Sequence, residues 1–152
     1  MNKLITIFLF VFIFSNSLIA QLVVGENASV TVAESASITV AGLEINPSSD
    51  MVISGPNSVD RNLTSVSIDG AESMARHYTV SNNLSSCAGS IVYNYTDEDM
   101  NGISHFAALQ VLDSPDGMWM NYADEDGVDY SVTHSFDNAV EIHSVTASDA
   151  TL

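Results

Sequence analysis

Two short acidic turns hold the side chains best suited to chemistry. Asp97-Glu98-Asp99-Met100-Asn101-Gly102 follows the D-x-D-x-N-G opening of a calcium loop. A hard cation takes oxygen ligands, and alternate positions on a tight turn aim carboxylate and amide oxygens at one centre. Asp97, Asp99 and Asn101 would supply side-chain oxygens, Gly102 the bend, and Ile103 a backbone carbonyl. The pattern departs from the full loop at its twelfth position, which is Ala108 where a bidentate glutamate belongs. Asp124-Glu125-Asp126-Gly127-Val128-Asp129 is a second acidic turn, with Asp124, Asp126 and Asp129 as candidate ligands. Calcium is the one cofactor these residues call for. The competing reading is a pair of solvated turns, since Asp, Asn and Gly favour tight turns in any case.

Signals for other chemistry are weak. His77, His105, His134 and His143 form no H-x-H or HExxH pair with metal spacing. No G-x-S-x-G elbow exposes a serine, and no glycine-rich phosphate loop occurs. A glycosidase carboxylate pair has no discriminating power in so acidic a chain. No enzyme is expected. Cys87 is the single cysteine, so an internal disulfide is excluded, and a small buried apolar role fits it.

Charge narrows the partners. All 19 acidic residues follow Ala20, and the positive residues behind that point are Arg61 and Arg76, a formal charge of about −17. Phosphate binding needs a basic surface, so nucleic acid is excluded, and an anionic membrane surface is equally unfavourable. Salt or divalent cations would relieve the self-repulsion. A saline extracellular setting fits.

Residues 1–20 have the order of a signal peptide: Lys3, an apolar run from Leu4 to Phe14, a polar Ser15-Asn16-Ser17, then Leu18-Ile19-Ala20. The run is about eleven residues, against roughly 20 needed to span a bilayer. Cleavage after Ala20 would leave Gln21 first. No cysteine stands at that point to take a lipid anchor, and no later stretch suits a membrane span. N-x-[ST] sequons begin at Asn27, Asn62, Asn83 and Asn94, and they matter only in a host that glycosylates them.

The elements that must position the acidic turns are strands. Alternating Val, Ile, Thr and Tyr runs lie between clusters of Gly, Asn, Asp and Ser. ENASVTVA at 26–33 and ESASITVA at 34–41 form a tandem octad. Ala28, Val30 and Val32 share one face, and Ala36, Ile38 and Val40 repeat it. Two such strands close no core alone, so they stack as coils, form a hairpin, or pack on the domain behind them. Asn46-Pro47-Ser48-Ser49-Asp50 reads as a hinge. Strands are then expected over Met51–Ser54, Thr64–Ile68, Arg76–Ser81, Ser90–Tyr95, Phe106–Leu112, Met118–Tyr122, Tyr130–His134 and Val140–Thr146. Asp116-Gly117 is a hairpin turn, and Trp119 is a core residue before it is a sugar platform. Regular spacing points to an all-β fold, an antiparallel β-sandwich of immunoglobulin-like or jelly-roll-like kind over residues 47–152. A short β-repeat segment, residues 21–46, precedes it.

Taken together, ENASVTVAESASITVAG, IVYNYTDEDMNGI, LQVLDSPDGMW and VEIHSVTAS resemble secreted β-repeat and β-sandwich surface proteins of Bacteroidetes, flavobacteria in particular. The resemblance spans most of residues 22–149 and implies an adhesin-like or surface-architecture module. Many such proteins end in a sorting domain for type IX secretion. This sequence stops at Ala150-Thr151-Leu152 without one, which leaves open a fragment, a short member, or another export route. The expected function is an exported, non-catalytic structural or adhesive module at the cell surface, assembling into filaments through exposed β-edges. Its partners would be other surface or matrix proteins, or further copies of itself. The alternative is a calcium-dependent carbohydrate- or ligand-binding domain, with glycans as partners.

Overall fold

The computed structural model describes residues 21–104 and 107–149. The leader, His105 and Phe106 lie outside the described residues. The described chain is antiparallel β throughout, with one 3-10 turn at Asp97–Asp99. Among the described residues no helix is long and apolar enough to cross a membrane.

The first six strands form one long ribbon. They are β1 (Gln21–Val24), β2 (Ser29–Val32), β3 (Ile38–Val40), β4 (Leu43–Pro47), β5 (Met51–Ser54) and β6 (Asn57–Asn62). β1 pairs with β6, β2 with β5, and β3 with β4. The ribbon reverses at Ala41-Gly42, whose φ values of 50° and 104° suit a two-residue hairpin of the primed type. Its outer arm has a period of eight. Val24, Val32 and Val40 are buried, and Leu22, Val30 and Ile38 are half-buried. Asn27 and Ser35 occupy equivalent turn positions at φ 59° and 64°. Each turn is closed by a backbone bond, Ala28 N–H to the Gly25 carbonyl at 3.2 Å and Ala36 N–H to the Ala33 carbonyl at 3.0 Å. The tandem octad is therefore a strand-and-turn repeat along one arm. Its two strands pair with β5 and β4, not with each other.

The inner arm lies on a long strand, β9 (His77–Asn94). Between them β7 (Ser67–Ile68) and β8 (Ala71–Glu72) make a small separate hairpin. β10 (Ala107–Leu112) and β11 (Trp119–Tyr122) pair across the Asp113–Met118 loop. The last strand, β12 (Ser131–Asp149), lies between β9 and β10. The large sheet runs β1-β6-β9-β12-β10-β11, with β4 also on β9.

β9 cannot be straight. Fifteen residues of extended chain would separate Tyr78 from Tyr93 by roughly 50 Å. Their rings instead meet edge to face with centroids 5.9 Å apart. The Tyr93 hydroxyl donates to the Arg76 carbonyl at 2.8 Å. β12 takes the same bend, since Val132 pairs with Tyr93 and Val145 with Tyr78. Register shifts in β12 between Phe136 and Ser144 absorb the curvature. At Gly89 (φ 116°) a Cβ would lie 2.2 Å from the Asn46 carbonyl, so only glycine admits this strand approach. The sheet thus curls nearly into a barrel. Tyr78, Tyr93, Leu43, Ile45, Ile91 and Leu109 fill it, all less than 3% exposed. Each such apolar side chain contributes about 1.5–3 kcal/mol by leaving water.

Several expected strands differ in extent. Arg76–Ser81 and Ser90–Tyr95 merge into the one strand His77–Asn94, Tyr130–His134 and Val140–Thr146 merge into Ser131–Asp149, and Met118–Tyr122 begins at Trp119. Thr64–Ile68 shortens to Ser67–Ile68, and β6 corresponds to no expected strand.

Candidate functional site

The first acidic turn faces the core. Asp99 is buried, and its Oδ2 lies 3.0 Å from a guanidinium nitrogen of Arg76, itself buried. The same oxygen accepts from the Thr96 backbone N–H and hydroxyl, both at 2.8 Å. Arg76 also donates to the Asn94 carbonyl and lies over the Tyr93 ring, 5.5 Å from its centroid. Asp97 is exposed and accepts from the Tyr130 hydroxyl, a bond that holds this phenol above its ordinary pKa. The Asn101 amide donates to the Ser73 carbonyl at 2.9 Å. The Ile103 side chain is buried, and its N–H bonds the Met100 carbonyl at 2.7 Å. The three polar side chains thus turn to three different protein partners. Ala108, the twelfth position, is buried in β10.

The second turn lies on the rim of β12. Asp124 accepts from the backbone N–H groups of Thr133 at 2.8 Å and Gly127 at 3.0 Å. Asp126 accepts from the Thr133 hydroxyl at 2.6 Å and the Val128 N–H at 2.9 Å. The Thr133 hydroxyl above all, with help from Val128 and Asp124, holds the Asp126 carboxyl below its usual range. Asp124 and Asp126 are therefore brought together on Thr133, and Asp129 is exposed. Glu125 fastens the turn to the strand: its N–H bonds the Thr133 carbonyl at 2.9 Å, and its carboxylate lies 3.1 Å from His134 Nδ1. Among the described residues no group of three or more His, Cys, Asp or Glu side chains is placed to hold a metal ion.

A surface trough beside this turn has no signal in the sequence. One cavity of about 270 Å³ is lined by Val111, Asp113, Met120, Tyr122, Val140 and Glu141. A neighbouring one of about 280 Å³ shares Tyr122 and Val140 with it and extends past Phe136 to Asp137. The Tyr122 ring packs against His134 and Phe136, with centroids 4.9 and 4.8 Å away. Trp119 is half-buried opposite Leu112. The lining residues come from β10, β11 and both limbs of bent β12, and no local spacing reveals such a set. Cys87 is buried, which pushes its thiol up to about 11.

Comparison with protein-family models, with curated proteins and with solved structures returns no match for this chain.

Proposed function

We propose that the chain is an exported, non-catalytic module of structural or adhesive kind that meets its neighbours through strand edges. The carrying observation is the two ends of the large sheet. Among the described residues β1 pairs only with β6, and β11 only with β10. Both ends carry apolar side chains in water: Val23 on β1 is 63% exposed, Met120 on β11 is 48% exposed, and Met118 in the loop leading into β11 is 80% exposed. A row of unpaired N–H and C=O groups beside apolar side chains is a template for a further strand. The leader and the flavobacterial resemblance favour the cell surface, with other surface or matrix proteins or a further copy as partner. The doubling of β9 and β12 supports a two-layer closure of sandwich type. The carboxylates of both acidic turns accept bonds from the protein's own backbone, which favours a structural use over catalysis.

Light scattering across a concentration series tests the edge reading. Wild type should assemble as concentration rises, and Val23→Lys and Met118→Lys should weaken assembly. A wild type that stays monomeric at millimolar concentration, with and without calcium, overturns self-assembly.

The second turn supports one further reading, calcium-dependent ligand binding, because Asp124 and Asp126 share Thr133 at the surface. Calcium should then raise Tm more than sodium chloride does at matched ionic strength, since a ligand of the native state stabilises by mass action. Asp126→Asn should remove that excess. Equal effects of the two salts would reduce the turn to a screened acidic surface.

A further inference from the structure

We propose that the trough lined by β10, β11 and bent β12 binds a lysine or arginine side chain carried on an extended segment of a different protein. The chemistry is written in its walls. Val111, Met120, Tyr122 and Val140 form an apolar channel, and the exposed acidic residues Asp113 and Glu141 share that lining. A long basic side chain has the matching halves: an apolar stem for the walls and a cationic head for the carboxylates. The cavity of about 270 Å³ lies below the range of drug-sized pockets, and suits one side chain better than a whole small ligand. The neighbouring cavity, across Tyr122 and Val140, again ends on an acidic residue, Asp137. On an extended segment the next side chain of the same face comes about 7 Å later, so a Lys-x-Lys pattern would place one base in each.

Charge decides which partner. The protein carries a formal net charge of −16, so a basic segment is drawn in from a distance while a neutral one is not. A further copy of this chain is a poor occupant. Its Arg76 is buried against Asp99, the Nε of Arg61 is buried, and Lys3 lies in the leader. A neutral glycan would want a bare aromatic face, and Tyr122 is flanked by His134 and Phe136. The occupant is therefore a basic heterologous segment. The trough walls include Met120 and Tyr122 of the end strand β11, but the inference does not rest on self-assembly through the edges.

The test is calorimetric titration of the purified protein at 50 and 300 mM salt. The probes are the peptide acetyl-Ser-Lys-Val-Lys-Ser-amide, its counterpart with glutamate for lysine, and maltohexaose. The lysine peptide should bind, weaken about fivefold or more at the higher salt, and lose about tenfold in affinity to the pair Asp113→Asn with Glu141→Gln. Glu26→Gln with Glu34→Gln removes the same charge from exposed positions in the octad arm, and should change affinity less than about twofold. The glutamate peptide should not bind. Three results overturn the proposal: no heat from the lysine peptide, equal weakening by the remote pair, or maltohexaose binding that survives the trough substitutions.

Discussion

Breaking the Arg76–Asp99 pair should be among the most damaging changes to this protein, and its size can be worked out. The pair is buried, with side chains 7% and 10% exposed. Asp99→Ala leaves the guanidinium in the interior without its counter-charge, and strips the Thr96 N–H and hydroxyl of their acceptor. An orphaned buried charge costs about 3–5 kcal/mol, and the lost cap about 0.5–2 more. Native domains hold together by only about 5–15 kcal/mol, so Asp99→Ala should lie at the edge of folding. Asp99→Asn removes the counter-charge too but keeps an acceptor oxygen for Thr96, so it should lose about 3–5 kcal/mol without the further cost of the Thr96 bonds. Replacing both partners, as in Arg76→Met with Asp99→Leu, removes the stranded charge and should recover much of the loss, though not the cap. Urea unfolding of wild type, Arg76→Met alone, Asp99→Leu alone and the double variant gives the coupling energy. We expect about 2–3 kcal/mol. A coupling under about 1 kcal/mol is what a surface pair gives, and would refute the claim that this bridge is sealed from water.

Gly89→Ala should abolish folding or cost more than about 3 kcal/mol, because its Cβ meets Asn46 and Ser48 backbone atoms that cannot move aside. Gly127→Ala, also at positive φ but in open space, should cost only about 1–2 kcal/mol, and equal losses in the two urea curves would refute this. Ellman's reagent at pH 8 should modify native Cys87 only as fast as the protein opens, since burial pushes the thiol up to about 11, and rapid modification without denaturant would contradict its burial. Asp126 is held below its usual pKa, so it favours the fold above about pH 4, and that contribution is lost as pH falls through its native value. The Tm gap between wild type and Asp126→Asn should therefore narrow on acidification from pH 6, and a gap that does not narrow would contradict the cause assigned to it.

What can be read from the sequence tracks the range of the interaction responsible. The alternation in the octads is local, and Val24, Val32 and Val40 are buried as a half-exposed strand requires. β5 likewise matches its expected span, because Met51 and Ile53 alternate with exposed Val52 and Ser54. β6 is hidden because Asn57-Ser58-Val59-Asp60-Arg61-Asn62 buries one apolar side chain, and lies flat only because β1 and β9 flank it. Local pattern divides β9 and β12 into two strands each, since Asn82-Asn83 and Asp137-Asn138 look like turns. In the curled sheet such residues lie in the stretch where the register between β9 and β12 shifts. The acidic turns are legible as turns, but their use is not. The partner of Asp99 is an arginine 23 positions earlier, brought near by the fold, and nothing in D-x-D-x-N-G announces it.

The place of β12 sets the order in which the molecule can come together. This strand joins β9 to β10, and at residues 131–149 it follows both of them in the sequence. Its partners are distant along the chain: Val145 pairs with Tyr78, and Ser131 with Asn94. The N-terminal ribbon can close on local contacts, but the curl of β9 has no second wall until β12 arrives. Contacts of such long sequence separation form slowly, because the entropy of closing the loop comes before any gain from packing. Until then the chain is an open ribbon with apolar faces uncovered. Loss of the final strand would therefore remove the middle of the sheet, not trim its margin.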